Sequence, residues 1–208
     1  EGNKHYFRIC FLDPFQGTVL ANYAFSTLGV TKAYCLSKLG DDYSGGLVNY
    51  FVKAFEDLGG TCVQDTFPEG NSDFTSYINN AKNSECKVFF SPVSTEAAQL
   101  IIDQAESQTL GMPILAGDTW DSNVILQAAK GKSVDVTVTT FYPEGANAEF
   151  DSGFKTWVNS DATQLANNGG DDTVAAVTAM GYDAYFFALA AMQKAASVEP
   201  AAIMAALW

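Results

Sequence analysis

The sequence predicts an α/β protein with a parallel, doubly wound sheet. Three observations predict it: short apolar strands without polar alternation, intervening helices with apolar residues at three- and four-residue spacing, and glycines at helix ends. Uninterrupted apolar strands are typical of parallel sheets, because helices cover both faces of such sheets. The chain has 208 residues, of which 48% are hydrophobic, so a sizeable core is expected and intrinsic disorder is excluded.

The predicted elements alternate from the start of the chain. A strand over Tyr6–Phe11 and a helix over Gln16–Leu28 form the first unit. The strands expected next cover Ala33–Ser37, Thr61–Phe67, Lys87–Ser91, Pro113–Ala116 and Val134–Phe141. The helices expected between them cover Leu47–Leu58, Phe74–Lys82, Glu96–Gln108 and a stretch that follows Ser122 and ends near Lys130. Each helix has an apolar face, and Gly59-Gly60 ends the helix over Leu47–Leu58 as helix C-termini commonly do.

After Tyr142-Pro143-Glu144-Gly145 the predicted alternation of strands and helices ends, and only helices follow. Helices are expected over Ala146–Asn159, from about Thr173 to Ala196, and from Pro200 onward. No strand is predicted after Phe141, so these helices have no sheet of their own, and an all-round apolar helix needs a partner to bury it. A membrane span over Val174–Met192 is the alternative; we disfavour it, because the segment is alanine-rich and no Lys or Arg precedes it closely.

The charge balance narrows the class of partner. Eleven Lys and Arg residues stand against 24 Asp and Glu residues, for a net charge of −13. Such a balance excludes nucleic acid as a partner and disfavours anionic lipid, because both require a basic face. The four cysteines (Cys10, Cys35, Cys62 and Cys86) show no metal-ligand spacing. They lie in apolar surroundings, so buried structural thiols are expected, with a disulfide as the open alternative.

The polar loops lie at the carboxyl ends of the predicted strands, where open parallel sheets bind ligands. Catalytic motifs are not found: there is no G-x-S-x-G elbow, no P-loop and no G-x-G-x-x-G, so no cofactor is predicted. The single histidine, His5, lies near the chain start, and Ser94 and Ser122 have no histidine beside them in the sequence. Binding without chemistry is therefore favoured over catalysis.

Three of these loops supply the candidate binding residues. Asp118, beside Thr119 and Trp120, is suited to receive a cationic group, although a turn or capping aspartate explains it as well. Tyr43 offers a ring and a hydroxyl to a ligand, or packs within its loop. Ser94 offers a hydroxyl to a ligand or caps the helix that follows it, and Asp121 is expected to cap its own helix.

Several motifs, in this order and spacing, resemble the type I periplasmic solute-binding proteins, above all the leucine/isoleucine/valine-binding family of ABC importers. They are Tyr6-Phe7-Arg8 with Asp13-x-x-Gln16-Gly17, Gly40-Asp41-Asp42-Tyr43-Ser44-x-Gly46, Phe55-x-x-x-Gly59-Gly60, Phe67-x-x-Gly70-x-x-Asp73-Phe74, Pro113–Ser122 and Gly181-Tyr182-Asp183-Ala184. The resemblance covers nearly the whole chain.

The resemblance implies an extracytoplasmic receptor of two α/β lobes that closes on an amino acid and docks on a membrane permease. Residues 1–145 would be one complete lobe, and residues 146–208 would be helices that pack on a first lobe not included in this chain. Asp118 would bind the ligand's α-ammonium, with an aromatic contact from Tyr43. The loop at Pro92–Ser94 would also face the ligand, as would Tyr182 from the first lobe. Where the family often has an aromatic residue this chain has Val93, so side-chain specificity does not carry over.

Two other function classes were weighed. A two-component receiver domain needs a Lys at the end of its last strand, where this chain has Thr140-Phe141, although Asp41-Asp42 imitates the acidic pair of that class. A sensory module of the same fold, attached to a kinase or chemoreceptor, stays open at this stage, because the sequence of one lobe does not separate sensing from transport.

Overall fold

The computed structural model describes residues 5–208 and contains a five-stranded, all-parallel sheet. Its strands are β1 (Lys32–Lys38), β2 (Thr61–Phe67), β3 (Val88–Phe90), β4 (Ile114–Ala116) and β5 (Val136–Val138). Their order across the sheet is β2-β1-β3-β4-β5, so the chain leaves β1 first on one side and then continues on the other. The predicted fold class is therefore confirmed.

Helices cover both faces of this sheet and continue beyond it. They are α1 (Asp13–Asn22), α2 (Asp42–Asp57), α3 (Thr75–Asn83), α4 (Thr95–Ser107), α5 (Asn123–Ala129), α6 (Ala148–Val158), α7 (Ala162–Asn167), α8 (Ala176–Ala195) and α9 (Pro200–Leu207). A π-helical turn over Tyr23–Thr27 extends α1, and a 3-10 turn over Asp118–Trp120 precedes α5. The short helix α7, which Asp161 caps, was not predicted.

Two apolar clusters, one on each face of the sheet, form the core. On one face α1 and α2 bury Leu20, Phe51 and Phe55 against Cys35 of β1. On the other face a larger cluster contains Trp120 and the apolar residues of α3 and α4. Successive residues of β1 point alternately into the two clusters, as the pleat of a strand buried on both faces requires.

The predicted strand over Tyr6–Phe11 is wrong, because these residues form bends and irregular chain. The segment is mostly apolar but finds no ladder partner in the described sheet. Its aromatic side chains pack instead, with the rings of Phe11 and Phe141 4.1 Å apart. The segment before α1 and the segment after β5 therefore lie side by side at this point.

Two carboxylates attach the start of α8 to the loops that follow β4 and β5. Oε2 of Glu144 accepts the amide of Val174 at 3.1 Å, and Oδ2 of Asp121 accepts the amide of Ala176 at 3.1 Å. Farther along α8, residues 181–187 are all exposed. In the described part of the chain, no helix is long and apolar enough to cross a membrane.

All four cysteines are free thiols. Cys35 and Cys86 are buried, and burial raises the pKa of the Cys35 thiol well above its usual range. This thiol acts as a small apolar side chain in the core, as predicted.

Candidate functional site

The candidate site lies at the carboxyl edge of the sheet, where β1, β4 and β5 each release a polar loop. Tyr43 lies in the first turn of α2, whose N-cap Asp41 accepts the amide of Ser44 at 2.8 Å. Asp118 begins the 3-10 turn that follows β4. The topology thus brings together two residues that are 75 positions apart in sequence.

Asp118 is the centre of a hydrogen-bonded cluster. Its Oδ1 atom accepts the Tyr43 hydroxyl at 2.7 Å and Nε2 of Gln16 at 2.9 Å. Oε1 of Gln16 accepts the backbone amide of Asp118 at 2.7 Å and also the Thr139 hydroxyl. No described residue donates to Oδ2 of Asp118, so this oxygen is available to a ligand.

Tyr43 is held as a hydrogen-bond donor. Burial and the hydrogen bond to Asp118 together raise the pKa of its hydroxyl above the usual range, so the phenol keeps its proton at physiological pH. The backbone of Gly117 lies close against the Tyr43 side chain. A Cβ atom on Gly117 would lie only 2.5 Å from the Tyr43 hydroxyl.

A second carboxylate adds negative charge beside Asp118. Asp13, in the first turn of α1, has a pKa raised first by burial and then by the charge of Asp118, while Arg8 acts in the opposite direction. Two neighbouring carboxylates favour a ligand that brings positive charge, since a cation relieves their repulsion.

Four other predicted residues are placed around the same loops. Val93 and Trp120 are buried in the core at 0% and 1% exposure, and the Val93 carbonyl accepts the Trp120 indole N–H at 3.0 Å. The half-buried Thr119 donates to the same carbonyl at 3.1 Å. These contacts tie the β3–α4 loop to the turn that carries Asp118. Ser94 is exposed at the N-cap of α4, and its hydroxyl helps to lower the pKa of Glu96, after that residue's own backbone amide.

Tyr182 lies on α8 and has different neighbours. Its ring packs on Phe150 of α6 at 5.1 Å and on Phe186 at 4.5 Å. It lines an open groove of about 830 Å³ between α6 and α8, together with Trp157 and Asp183. No hydrogen bond or ring contact within residues 5–208 joins Tyr182 to Asp118 or Tyr43.

Asp121 is not the N-cap of α5, contrary to the prediction. Ser122 takes that position, and its hydroxyl accepts the Ile125 amide at 3.4 Å. Asp121 instead accepts the Thr140 hydroxyl at 2.6 Å and the Ala176 amide. It therefore links the 3-10 turn to the chain that follows β5 and to α8.

Gln16, like Thr139 and Asp13, belongs to this cluster although the sequence did not single it out as functional. It appeared only as the start of a helix and within the motif Asp13-x-x-Gln16-Gly17. The available signal was its position: Gln16 shares the buried face of α1 with Leu20, where an amide is out of place unless it has buried partners.

The composition of the cluster differs from that of a metal site. In residues 5–208 no group of three or more His, Cys, Asp or Glu side chains is arranged to hold a metal ion. Within the same residues the cluster presents one carboxylate oxygen that accepts no hydrogen bond, one phenol and a second carboxylate, a combination suited to a cationic group.

Comparisons with solved structures agree with this fold. A leucine-binding protein from Thermotoga maritima is 28% identical, with a TM-score of 0.82, and the match covers 100% of this chain and 57% of that protein. An isoleucine-bound branched-chain amino-acid transporter binding protein from Streptococcus pneumoniae is 22% identical, with a TM-score of 0.81 over 99% of this chain and 56% of that protein. A benzoate-bound solute-binding protein from R. palustris is 19% identical, with a TM-score of 0.76 over 97% and 54% of the two chains.

The chain thus spans little more than half the length of these proteins. No curated protein matches it. The profile of the family described as periplasmic binding protein matches residues 1–207, nearly the entire chain. The resemblance predicted from the motifs is confirmed, and the chain belongs to the periplasmic binding protein family.

Proposed function

We propose that this chain is the larger part of an extracytoplasmic receptor of an ABC importer, which binds an amino acid between two lobes and hands it to a membrane permease. The observation that carries the proposal is Oδ2 of Asp118, which receives no hydrogen bond from residues 5–208 while Oδ1 is held by Tyr43 and Gln16. A carboxylate fixed in this way accepts an ammonium group without rearranging, which favours tight binding.

Charge selects the ligand class. The solved relatives include proteins bound to isoleucine and to benzoate, so the fold alone does not decide between an amine and a plain carboxylate. Asp13 and Asp118 repel a ligand that carries only a carboxylate and attract one that carries an amine. An amino acid, with a branched aliphatic side chain as the first choice, is therefore the proposed ligand.

A second lobe is the proposed cover for α8. The relatives are nearly twice as long as this chain, and residues 181–187 of α8 are exposed around the whole circumference of the helix. Four aromatic side chains lie in that stretch: Tyr182, Tyr185, Phe186 and Phe187. A helix of this kind needs a partner, so we assign residues 1–145 to one lobe and residues 146–208 to the second.

The test is calorimetric titration of the complete gene product and of the 208-residue chain with the twenty common L-amino acids and with benzoate. An amino acid is expected to bind and benzoate is not. In Asp118→Asn the affinity is expected to fall about tenfold or more, since a hydrogen bond to a charged group contributes about 1.5–3 kcal/mol.

Asp65→Asn is the matched control. Asp65 also accepts a tyrosine hydroxyl, that of Tyr34 at 2.9 Å, but it lies on β2 outside the cluster. Its replacement is expected to leave the affinity unchanged. Binding of benzoate but of no amino acid, or equal losses in the two variants, would overturn the proposal.

A further inference from the structure

Gln16 occupies an unusual position for an amide. Its side chain is buried at 1% exposure in α1, and its hydrogen bonds reach two other parts of the sheet edge. Nε2 donates to the Asp118 carboxylate, while Oε1 accepts from the Asp118 backbone amide and from the Thr139 hydroxyl after β5. The Gln16 side chain thus joins α1 to the 3-10 turn, 102 positions away in sequence, and to the residue that follows β5, 123 positions away.

The partners fix the orientation of this amide. If its nitrogen and oxygen were exchanged, the nitrogen would face the Asp118 amide N–H and the oxygen would face the carboxylate, and both contacts would be repulsive. The position therefore requires a donor on one side and an acceptor on the other. Glutamine supplies both; methionine supplies neither, and an ionised glutamate supplies only acceptors.

The backbone of α1 lies directly against α2 beside the cluster. A Cβ atom on the adjacent Gly17 would lie 2.7 Å from Cβ of Tyr50 and 2.9 Å from the Phe51 amide, so α1 and α2 are in direct backbone contact there. Tyr43, on the same α2, donates to the same carboxylate oxygen as Gln16. Two packed helices thus aim two donors at one atom.

We propose that Gln16 is a positioning residue for ligand binding, which holds the Asp118 carboxylate turned so that Oδ2 faces the ligand. This inference rests on the proposed function and adds to it. The Gln16 amide holds Oδ1 and the Asp118 backbone amide together, so the direction of the second carboxylate oxygen is fixed before a ligand arrives. The groups that face this site are Asp118, Asp13, the Tyr43 hydroxyl and, beyond Asp13, Arg8.

The first experiment is a double-mutant cycle on affinity in the complete gene product. The probes are the twenty common L-amino acids, each titrated into the wild type, Gln16→Met, Asp118→Asn and the double variant. In Gln16→Met the affinity is expected to fall about threefold or more, whereas the same replacement in the Asp118→Asn background is expected to cost less than about twofold, because Gln16 acts through Asp118.

Gln127→Met is the matched control for that experiment. The Gln127 amide also donates to a carboxylate, that of Asp171 at 3.0 Å, but this exposed pair lies outside the cluster. Its replacement is expected to leave the affinity unchanged in both backgrounds. An equal loss of affinity from Gln16→Met in the wild type and in the Asp118→Asn background would mean that Gln16 only supports the fold, and would overturn the inference alone.

The second experiment does not depend on a ligand. In Gln16→Glu two carboxyl groups face each other, so they share a proton and the pair titrates at a raised pKa in the folded protein. A raised folded-state pKa contributes stability that is lost as pH rises, so the fall in Tm relative to wild type is expected to be at least about twice as large at pH 8 as at pH 5.

The two experiments separate the possible failures. A wild type that binds no amino acid overturns the proposed function and with it the role of Gln16 in binding. A Tm loss in Gln16→Glu that is equal at both pH values shows that the amide does not face the carboxylate, and overturns the inference even where the wild type binds.

Discussion

Gly117 determines how closely the 3-10 turn approaches Tyr43. Its φ of −79° and ψ of −176° are open to any residue, so the requirement for glycine is steric rather than conformational. An added Cβ atom would lie 2.5 Å from the Tyr43 hydroxyl and 3.1 Å from Oε1 of Gln16. Both donors to Asp118 therefore depend on the missing side chain.

Gly117→Ala is expected to lower the free energy of unfolding by about 1–3 kcal/mol, as overpacking of a filled site does. It is also expected to weaken amino-acid binding by moving Tyr43. Gly46→Ala is the contrasting variant: Gly46 lies inside α2 with no atom within 4 Å of its added Cβ, so its replacement is expected to stabilise the helix by about 0.5–1 kcal/mol. Urea unfolding measures the stability of both variants. A loss of stability in both would contradict the steric explanation.

The sequence could predict part of this site because strand ends are visible in it. Asp118 and Tyr43 each follow an apolar run, and the parallel topology brings such positions to one edge. The contact of Gln16 with Asp118 could not be predicted, because it depends on how α1 crosses α2. The burial of Val93 and Trp120 depends on the path of a loop, which residue type alone does not determine.

Asp121 joins three structural elements: the 3-10 turn, the chain beyond β5 and α8. It lies at the end of the 3-10 turn and accepts from Thr140 beyond β5 and from the first backbone amide of α8. A carboxylate at that place satisfies an unpaired amide and interacts favourably with the helix dipole. The 3-10 turn and α8 are therefore held by one side chain.

Asp121→Ala is expected to lower the free energy of unfolding by about 1–2 kcal/mol, since it removes a helix cap and leaves the Thr140 hydroxyl without one acceptor. Asp161→Ala is the control, because Asp161 caps only the short, exposed α7 through the Thr163 amide at 2.6 Å. Its loss is expected to stay below about 1 kcal/mol, at the low end for cap removal. Equal losses in the free energy of unfolding of the two variants, measured by chemical denaturation, would show that Asp121 contributes no more than an ordinary helix cap.

Elements with strong local signals were predictable, and those that depend on a partner were not. β2 has the predicted bounds, Thr61–Phe67, because glycines precede it and a proline follows it. β5 is shorter than its apolar run, Val134–Phe141, because pairing with β4 ends at Val138. The segment Tyr6–Phe11 has strand-like residues but no neighbour to pair with, and β-propensity without a ladder does not form a strand.

At the scale of the whole molecule, the apolar surface is unevenly distributed. The two core clusters bury most large side chains of the sheet and its helices, whereas Tyr182, Tyr185, Phe186 and Phe187 of α8 are 46–64% exposed. Large exposed apolar patches mark interaction sites. These four aromatic residues lie within six positions of one helix, so they concentrate apolar surface there.

We therefore expect the 208-residue chain to bind a hydrophobic dye and to self-associate through α8, and the complete gene product to do neither. The double variant Tyr185→Ser/Phe187→Ser is expected to lower dye fluorescence and the sedimentation-average mass of the 208-residue chain, because it removes two of the four aromatic rings. Tyr50→Ser is the control, an aromatic residue on α2 with 42% exposure and no place in the patch. If both chains bound the dye equally, α8 would be an exposed surface in the receptor itself, and residues 146–208 would not belong to a second lobe.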